Sequence, residues 1–528
     1  MSPESSARVW RPKANPWLIA VVVALAAFME VLDTSIANVA LPYMAGSLSA
    51  TTEQSTWVLT SYLVSNAVVL PIVGWFVRVF GRKRFFIICL AVFTLSSLLC
   101  GLAPNLGTMI AFRVLQGAGG GGLQPMAQAI LADTFPPQQR GQAFALFGVT
   151  VVVAPILGPT LGGWITDNYT WRWIFLINLP VGIAASFLVF RLLEDPPWEK
   201  KLTRSQIRID YVGMSLLVIG VGALQIMLDK GQEQDWFGSQ FIVLLAVMAF
   251  VGLVSLVIWE WRHDDPIVDV RLYRNLNFLG ANAMMFMAGI MMFSSLVMMP
   301  QFLQLLLGYS SETAGLVLSG GGFLLLVLMP IVGVLTAKIQ ARYIIATGWL
   351  ITCAAMYYTS RRLNLEIDFA HASLLRVVQV AGLPLLFVPI ILVSYLGLPP
   401  EKSNNIAGLV SFMRNIGSSI GTSMVTTLLA RYAQFHQVRL VEHTGVDEPA
   451  FTSAVSGLAA RLTASGLETS EALRQAYGRV YQAVIAQATV LAYVDTFRIL
   501  AIGAGLMFLL SFGLRKNEPS GGGTAPAH

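Results

Sequence analysis

Two acidic residues stand inside an apolar run that reads Phe28-Met29-Glu30-Val31-Leu32-Asp33-Thr34-Ser35-Ile36-Ala37-Asn38. Spaced three apart, Glu30 and Asp33 share one face of a helix. Carboxylates are costly in hydrocarbon and are kept there where they act on ions or protons. Two of them close together in a low dielectric would not both ionise readily, which suits a group that gains and releases protons. The same pair could instead face a wet vestibule or hold an arginine for structure. Three cations lie equally deep: Arg113, followed by Gln116, Arg376, and Arg414 beside Asn415. Arg113 is the candidate counter-charge to the acids. Arg414 either lines a cavity or caps a structural network. Asn38, Gln124 and Met291 are the other candidate cavity residues.

The elements that must position these groups follow from composition. Of 528 residues, 55% are hydrophobic and 12% charged, with a mean hydropathy of +0.68. Soluble chains carry roughly 25% charged residues, so a soluble enzyme is excluded and a polytopic membrane protein is implied. Apolar stretches begin near Trp17, Trp57, Phe85, Leu106, Phe144, Trp173, Tyr211, Phe241, Phe278, Gly315, Tyr343, Ser373, Asn404 and Tyr493. Runs this long and continuous are helical in a bilayer, where backbone groups must be satisfied internally. Fourteen spans place both termini on one side. With that side cytoplasmic, twenty-one of the 34 Lys and Arg fall in inner loops and tails, as the positive-inside rule requires. The net charge of +6 therefore reports loop orientation, not nucleic-acid binding. The first span follows Arg8, Arg11 and Lys13 and runs to about Leu41, too long for a signal-peptide core, so it is read as an uncleaved helix. Cys89, Cys100 and Cys353 lie in apolar runs and carry no metal or disulfide pattern.

Pro71-Ile72-Val73-Gly74 recurs as Pro330-Ile331-Val332-Gly333, and Arg113-Val114-Leu115-Gln116 recurs as Arg376-Val377-Val378-Gln379. The similar offsets imply a duplicated six-helix unit with two helices inserted between the copies. Such repeats build a substrate path between two halves that rock against each other. The ninth span offers Met291 where the first has Asp33, so the acid chemistry is expected in the first half alone. Seven of the methionines between Met284 and Met299 crowd this span, as core filler or as an adaptable surface. In the fifth span Pro155, Gly158, Pro159, Gly162 and Gly163 form a packing kink, a hinge, or both. Gly117, Gly119 and Gly122 fit a dinucleotide fingerprint only in letters, since a spanning helix surrounds them. With no phosphate-binding P-loop motif, energy for pumping is expected from an ion gradient.

These residues resemble the major facilitator superfamily, in particular its fourteen-helix drug:proton antiporter branch (the EmrB/QacA family), and within that branch the EmrB-type permeases. Leu32 to Pro42 is similar to the first-helix motif whose aspartate is implicated in coupling. Arg113 to Gly119 resembles the fourth-helix motif whose arginine is tied to proton transfer. Gly158-Pro159 and Gly162-Gly163 match the antiporter motif, with Ala154 where a glycine usually stands. Asn178-Leu179-Pro180, Leu228-Asp229-Lys230-Gly231 and Asp235-Trp236 are similar to segments typical of the branch. In the loop after the second span, Gly74, Gly81, Arg82 and Lys83 match, while Arg78 takes the place of the usual aspartate.

The resemblance implies the major facilitator fold: two six-helix bundles, 17–193 and 277–513, with two inserted helices at 211–261. Cytoplasmic linkers are expected at 194–210 and 262–276, cytoplasmic tails at 1–16 and 514–528, and a periplasmic segment at 431–492. It further implies an exporter of amphipathic toxic compounds in a bacterial inner membrane, driven by the proton-motive force and needing no cofactor or metal. Glu30, Asp33 and Arg113 would couple protons to transport. The segment 431–492 would dock a periplasmic adaptor that leads to an outer-membrane channel, or else cap the vestibule. A dedicated exporter of one metabolite, such as a siderophore or fatty acid, is the alternative on this scaffold; a non-transporting receptor is the rival from outside transport.

Overall fold

The structure is a computed structural model that describes residues 12–198, 209–442, 444–445 and 448–515. Most of both tails and of the linker at 194–210 thus lie outside the described residues. Within them the chain is helical, with no strand. Helices α1 (Pro16–Ser47), α2 (Glu53–Phe80) and α3 (Arg82–Gly101) are followed by α4, in two pieces (Leu106–Gly120 and Leu123–Thr134). Then come α5 (Pro137–Asn168), α6 (Trp173–Leu192), α7 (Tyr211–Lys230) and α8 (Gln240–Arg262). The second half has α9 (Leu276–Leu305), α10 (Ser311–Leu335), α11 (Ala341–Arg362) and α12 (Phe369–Ser394). It continues with α13 (Ser403–Val441), α14 (Pro449–Ala464) and α15 (Thr469–Ser511).

Eleven of these are long and apolar enough to cross a membrane. Three further helical segments, α4 in its two pieces, α11 and α13, fall outside that set and carry Arg113, Arg361 with Arg362, and Arg414. Together they are consistent with fourteen passes. Beyond its membrane part α13 continues as a helix to Val441, and α15 begins at Thr469, so the polar segment between them is a helical projection. There α14 packs on α15 through Val455, Leu462, Ala472 and Ala476.

Small residues set how closely the helices approach. A Cβ on Gly158 of α5 would lie 2.2 Å from the Ser35 hydroxyl oxygen of α1, and one on Gly162 would meet Ile36 at 3.1 Å, whereas Gly163 has nothing within 4 Å. Ser35 also donates to the Pro155 carbonyl at 3.1 Å, the acceptor nearest the bend that Pro159 imposes on α5. The fifth-span motif is therefore a seam between α1 and α5. The same helix meets the second half: a Cβ on Gly141 would fall 1.9 Å from the Thr336 hydroxyl oxygen of α10, and one on Gly322 of α10 would touch Ile156 at 3.2 Å. Elsewhere the halves join where Gly74 of α2 faces Asn405 of α13 and Gly408 of α13 faces the Leu70 carbonyl. The inserted pair α7–α8 closes on itself at Gly220 and Gly252.

Overpacking of a tight core site costs about 1–3 kcal/mol. Gly158→Val should therefore lower the thermal unfolding temperature of the detergent-purified protein by several degrees, while Gly163→Ala leaves it unchanged. Equal behaviour of the two variants would contradict the seam.

Candidate functional site

Asp33 is buried where α1, α4 and α6 meet. Arg113 reaches it with one guanidinium nitrogen at 2.7 Å, both side chains being almost fully shielded. The same nitrogen donates to Gln116 Oε1 at 2.7 Å, and Arg113 Nε donates to the Val58 carbonyl at 3.0 Å. Gln116 lies one turn beyond Arg113 on α4 and donates to Asp33 at 3.0 Å. Asn178 donates to the same carboxylate oxygen at 2.6 Å and to the Ser97 hydroxyl at 3.0 Å. The guanidinium also stacks over Tyr62, 4.2 Å from the ring centre. Each Asp33 oxygen thus has a donor, and the charge has an opposite charge. That is what burial of an ion demands, because desolvation otherwise outweighs the Coulombic gain.

Glu30, one turn earlier, has a separate set of partners. Tyr62 and Asn66, four apart on α2, each donate to its Oε1 at 3.0 Å. The Gln124 amide donates to Oε2, and the carbonyl of that amide accepts from Arg414 of α13. A chain of side chains therefore runs from the first half, through Glu30 and Gln124, to a cation on the second half. Gly120 makes room for it: a Cβ there would lie 2.6 Å from the Tyr62 hydroxyl and 3.2 Å from the Glu30 side chain.

The repeat-related position in the second half is built differently. Arg376 is buried, and its bonds go to the neutral oxygens of Ser295 at 3.2 Å and Gln379 at 3.4 Å.

At the opposite end of the bundle, Arg82 binds Asp133 at 2.6 Å, both buried, and Ser403 of the second half donates to the same carboxylate at 3.0 Å. Gly81 opens α3 at φ +82°, a left-handed turn that glycine adopts without strain. Arg78 pairs with Asp265 of the loop after α8 at 2.6 Å. Arg78, which stands where the loop motif usually has an aspartate, thus has a carboxylate partner from a distant position. The Lys83 amide donates to Asp195 at 2.8 Å.

Of the residues singled out from sequence, Glu30, Asp33, Arg113, Gln116, Gln124 and Arg414 come together. Asn415 stands next to Arg414, half-buried, with a side-chain oxygen that has no partner. Asn38 is exposed two turns beyond Glu30, outside the two clusters. Met291 is also apart from them, buried in the second bundle with its methyl toward Gly503 of α15. None of the ninth-span methionines is exposed, so they act as core filler. Tyr62, Asn66 and Asn178 were not anticipated as site residues. The i,i+4 polar pair in an apolar span was the available signal for the first two. Among the described residues no three metal-type ligands gather.

Comparison with known proteins agrees with this architecture. A family model described as Major Facilitator Superfamily matches residues 23–422. The chain is 35% identical to the Multidrug export protein EmrB of Escherichia coli (strain K12), covering 97% of this chain and 98% of that one. It is 37% identical to the Fatty acid resistance protein FarB of Neisseria gonorrhoeae, covering 85% and 87% respectively. The solved structure of the proton:xylose symporter XylE superposes with a TM-score of 0.58 at 13% identity, covering 96% and 97%, and shares the fold. The chain belongs to the Major Facilitator Superfamily, among its EmrB-type permeases.

Removing one partner of a buried ion pair strands the other and costs about 3–5 kcal/mol. Arg113→Met should accordingly cut yield and thermal stability sharply, and adding Asp33→Asn to it should restore most of both. A double variant no more stable than Arg113→Met would refute the pairing.

Proposed function

We propose that this permease exports amphipathic toxic compounds from the cytoplasm of a bacterium in exchange for protons. The observation that carries the reading is the pair of buried carboxylates on α1, each held by its own donors inside the bundle of a Major Facilitator chain. Asp33 accepts a proton and releases Arg113; Glu30 accepts one and loosens its tie to Gln124. Loss of these protons restores both networks. Arg113 is the counter-charge that makes each exchange a change of partners. Gln124, Arg414 and Asn415 lie where the two halves meet and would line the path of the substrate.

Energy comes from the proton gradient, with no cofactor. One charge crossing 100 mV supplies about 2.3 kcal/mol, and that sustains a roughly fifty-fold gradient. The Arg82–Asp133–Ser403 contact and the Gly74–Asn405 seam hold the halves together at one end. The positive-inside count supports a cytoplasmic placing of that end and of both termini. The projection formed by the ends of α13 and α15 with α14 is then periplasmic. Exposed Phe435, Val438, Leu473 and Tyr477 upon it favour docking of an adaptor that continues to an outer-membrane channel. The likeness to a fatty acid resistance protein favours a second reading, a dedicated exporter of one amphiphile.

Everted membrane vesicles separate these readings. Imposing a pH gradient should drive uptake of several unrelated amphipathic dyes that compete with one another, whereas competition confined to fatty acids would select the dedicated exporter. Asp33→Asn, whose amide oxygen can still accept from Arg113, should abolish the gradient-driven component when transport is expressed per molecule that reaches the membrane. Undiminished proton-driven transport by that variant would defeat the coupling role.

A further inference from the structure

A carboxylate only accepts hydrogen bonds, a guanidinium only donates them, and an amide does one of each from its two ends. Gln124 sits between Glu30 and Arg414, with its nitrogen on Glu30 Oε2 and its oxygen on the arginine. This orientation is dictated by chemistry: as long as Glu30 is ionised, no other arrangement satisfies both neighbours. The amide bridges the halves, since Glu30 and Gln124 belong to the first and Arg414 to the second.

A proton from water that binds Glu30 changes the rule. Oε1 already receives donors from Tyr62 and Asn66, whereas Oε2 receives only the Gln124 amide. At Oε1 the Tyr62 hydroxyl would have to turn over to accept while the Asn66 N–H was left facing an O–H oxygen. The proton is accommodated most easily at Oε2, which has one donor to displace and becomes a donor facing a donor. The amide must turn over to accept from it, and its N–H groups then point at a guanidinium that can accept nothing. The link from Glu30 to the second half is lost. We infer that Gln124 is the coupling element of this permease, an amide whose orientation turns protonation of Glu30 into release of Arg414 and hence of one of the ties between the halves. The inference rests on the proton-driven reading above and assigns it a positioning residue. The charged and titratable groups facing Glu30 are Tyr62 of α2 and Arg414 of α13, with Asp33 and its partner Arg113 one turn away. Among the described residues no other side chain is hydrogen-bonded to both this carboxylate and Arg414.

The test uses full-length protein in nanodiscs with Cys89, Cys100 and Cys353 replaced by serine. Spin labels are attached at exposed Gln139 and Tyr343, which lie on opposite halves. Inter-label distances are measured from pH 5 to pH 9. In the parent the distribution should move with pH, and Glu30→Gln should remove part of that movement. Gln124→Leu should remove the same part, the double variant should equal either single one, and gradient-driven efflux by Gln124→Leu should fall at least tenfold. Gln124→Met, similar in length and equally unable to bridge, serves if the leucine variant does not reach the membrane. A parent chain whose distances ignore pH would overturn the inference. So would a Gln124 variant with the parent's full pH response, or effects of the two substitutions that add. A purely structural role would lower the yield and melting temperature without touching the pH dependence. The distance reading needs no substrate, so a failure of the export reading, with no dye moved by the parent under a pH gradient, registers as a separate result.

Discussion

Everything in this molecule answers to one constraint: an ion in hydrocarbon must find its partners inside the protein. Asp33 meets it with a cation and two amides, so three helices converge on one side chain. Those contacts fix how α1, α4 and α6 sit together. In the proposed cycle the same constraint confers function: when the charge on Asp33 or Glu30 disappears, the groups assembled to satisfy it are free to change partners. A fully apolar core would pack as well and respond to nothing.

The two halves share a backbone plan but not a chemistry. Arg376 repeats Arg113 in position, yet it leans on neutral oxygens, because the α9 side chain that faces it is Ser295 and not a carboxylate. The buried pair of carboxylates on α1 thus belongs to one bundle, and in the proposed cycle Arg414 is its contact with the other. At the far end, Asp133 is shared between Arg82 of its own half and Ser403 of the other, so a polar clasp and a titratable cluster hold the same two bodies at different depths. A machine that alternates needs contacts at both ends that are each strong enough to close and limited enough to open.

Much of this was legible in the residues themselves. The membrane class, the helical spans, the duplicated unit and the acid pair all follow from patterns that local physics enforces. A bilayer requires long apolar helices, and a carboxylate in such a helix is costly enough to announce itself. The fifth-span glycines were equally readable as a site of close approach, although only the neighbour's position shows that Gly158 and Gly162 face α1 while Gly163 does not.

Partnership was the part that the chain could not disclose. Glu30 and Asp33 read as one pair because they share a helical face, yet the fold gives each its own donors, drawn from residues up to 145 positions away. Arg78 looked like a broken motif until Asp265, remote in sequence, was found beside it. Sequence periodicity specifies which face of a helix is polar, because that is a property of 3.6 residues per turn. Which other helix supplies the matching donor is settled by packing of distant segments, and no local pattern records it. The Gln124 bridge from Glu30 to Arg414 is of this second kind: each of its three residues can be singled out alone, but only the folded bundle lines them up.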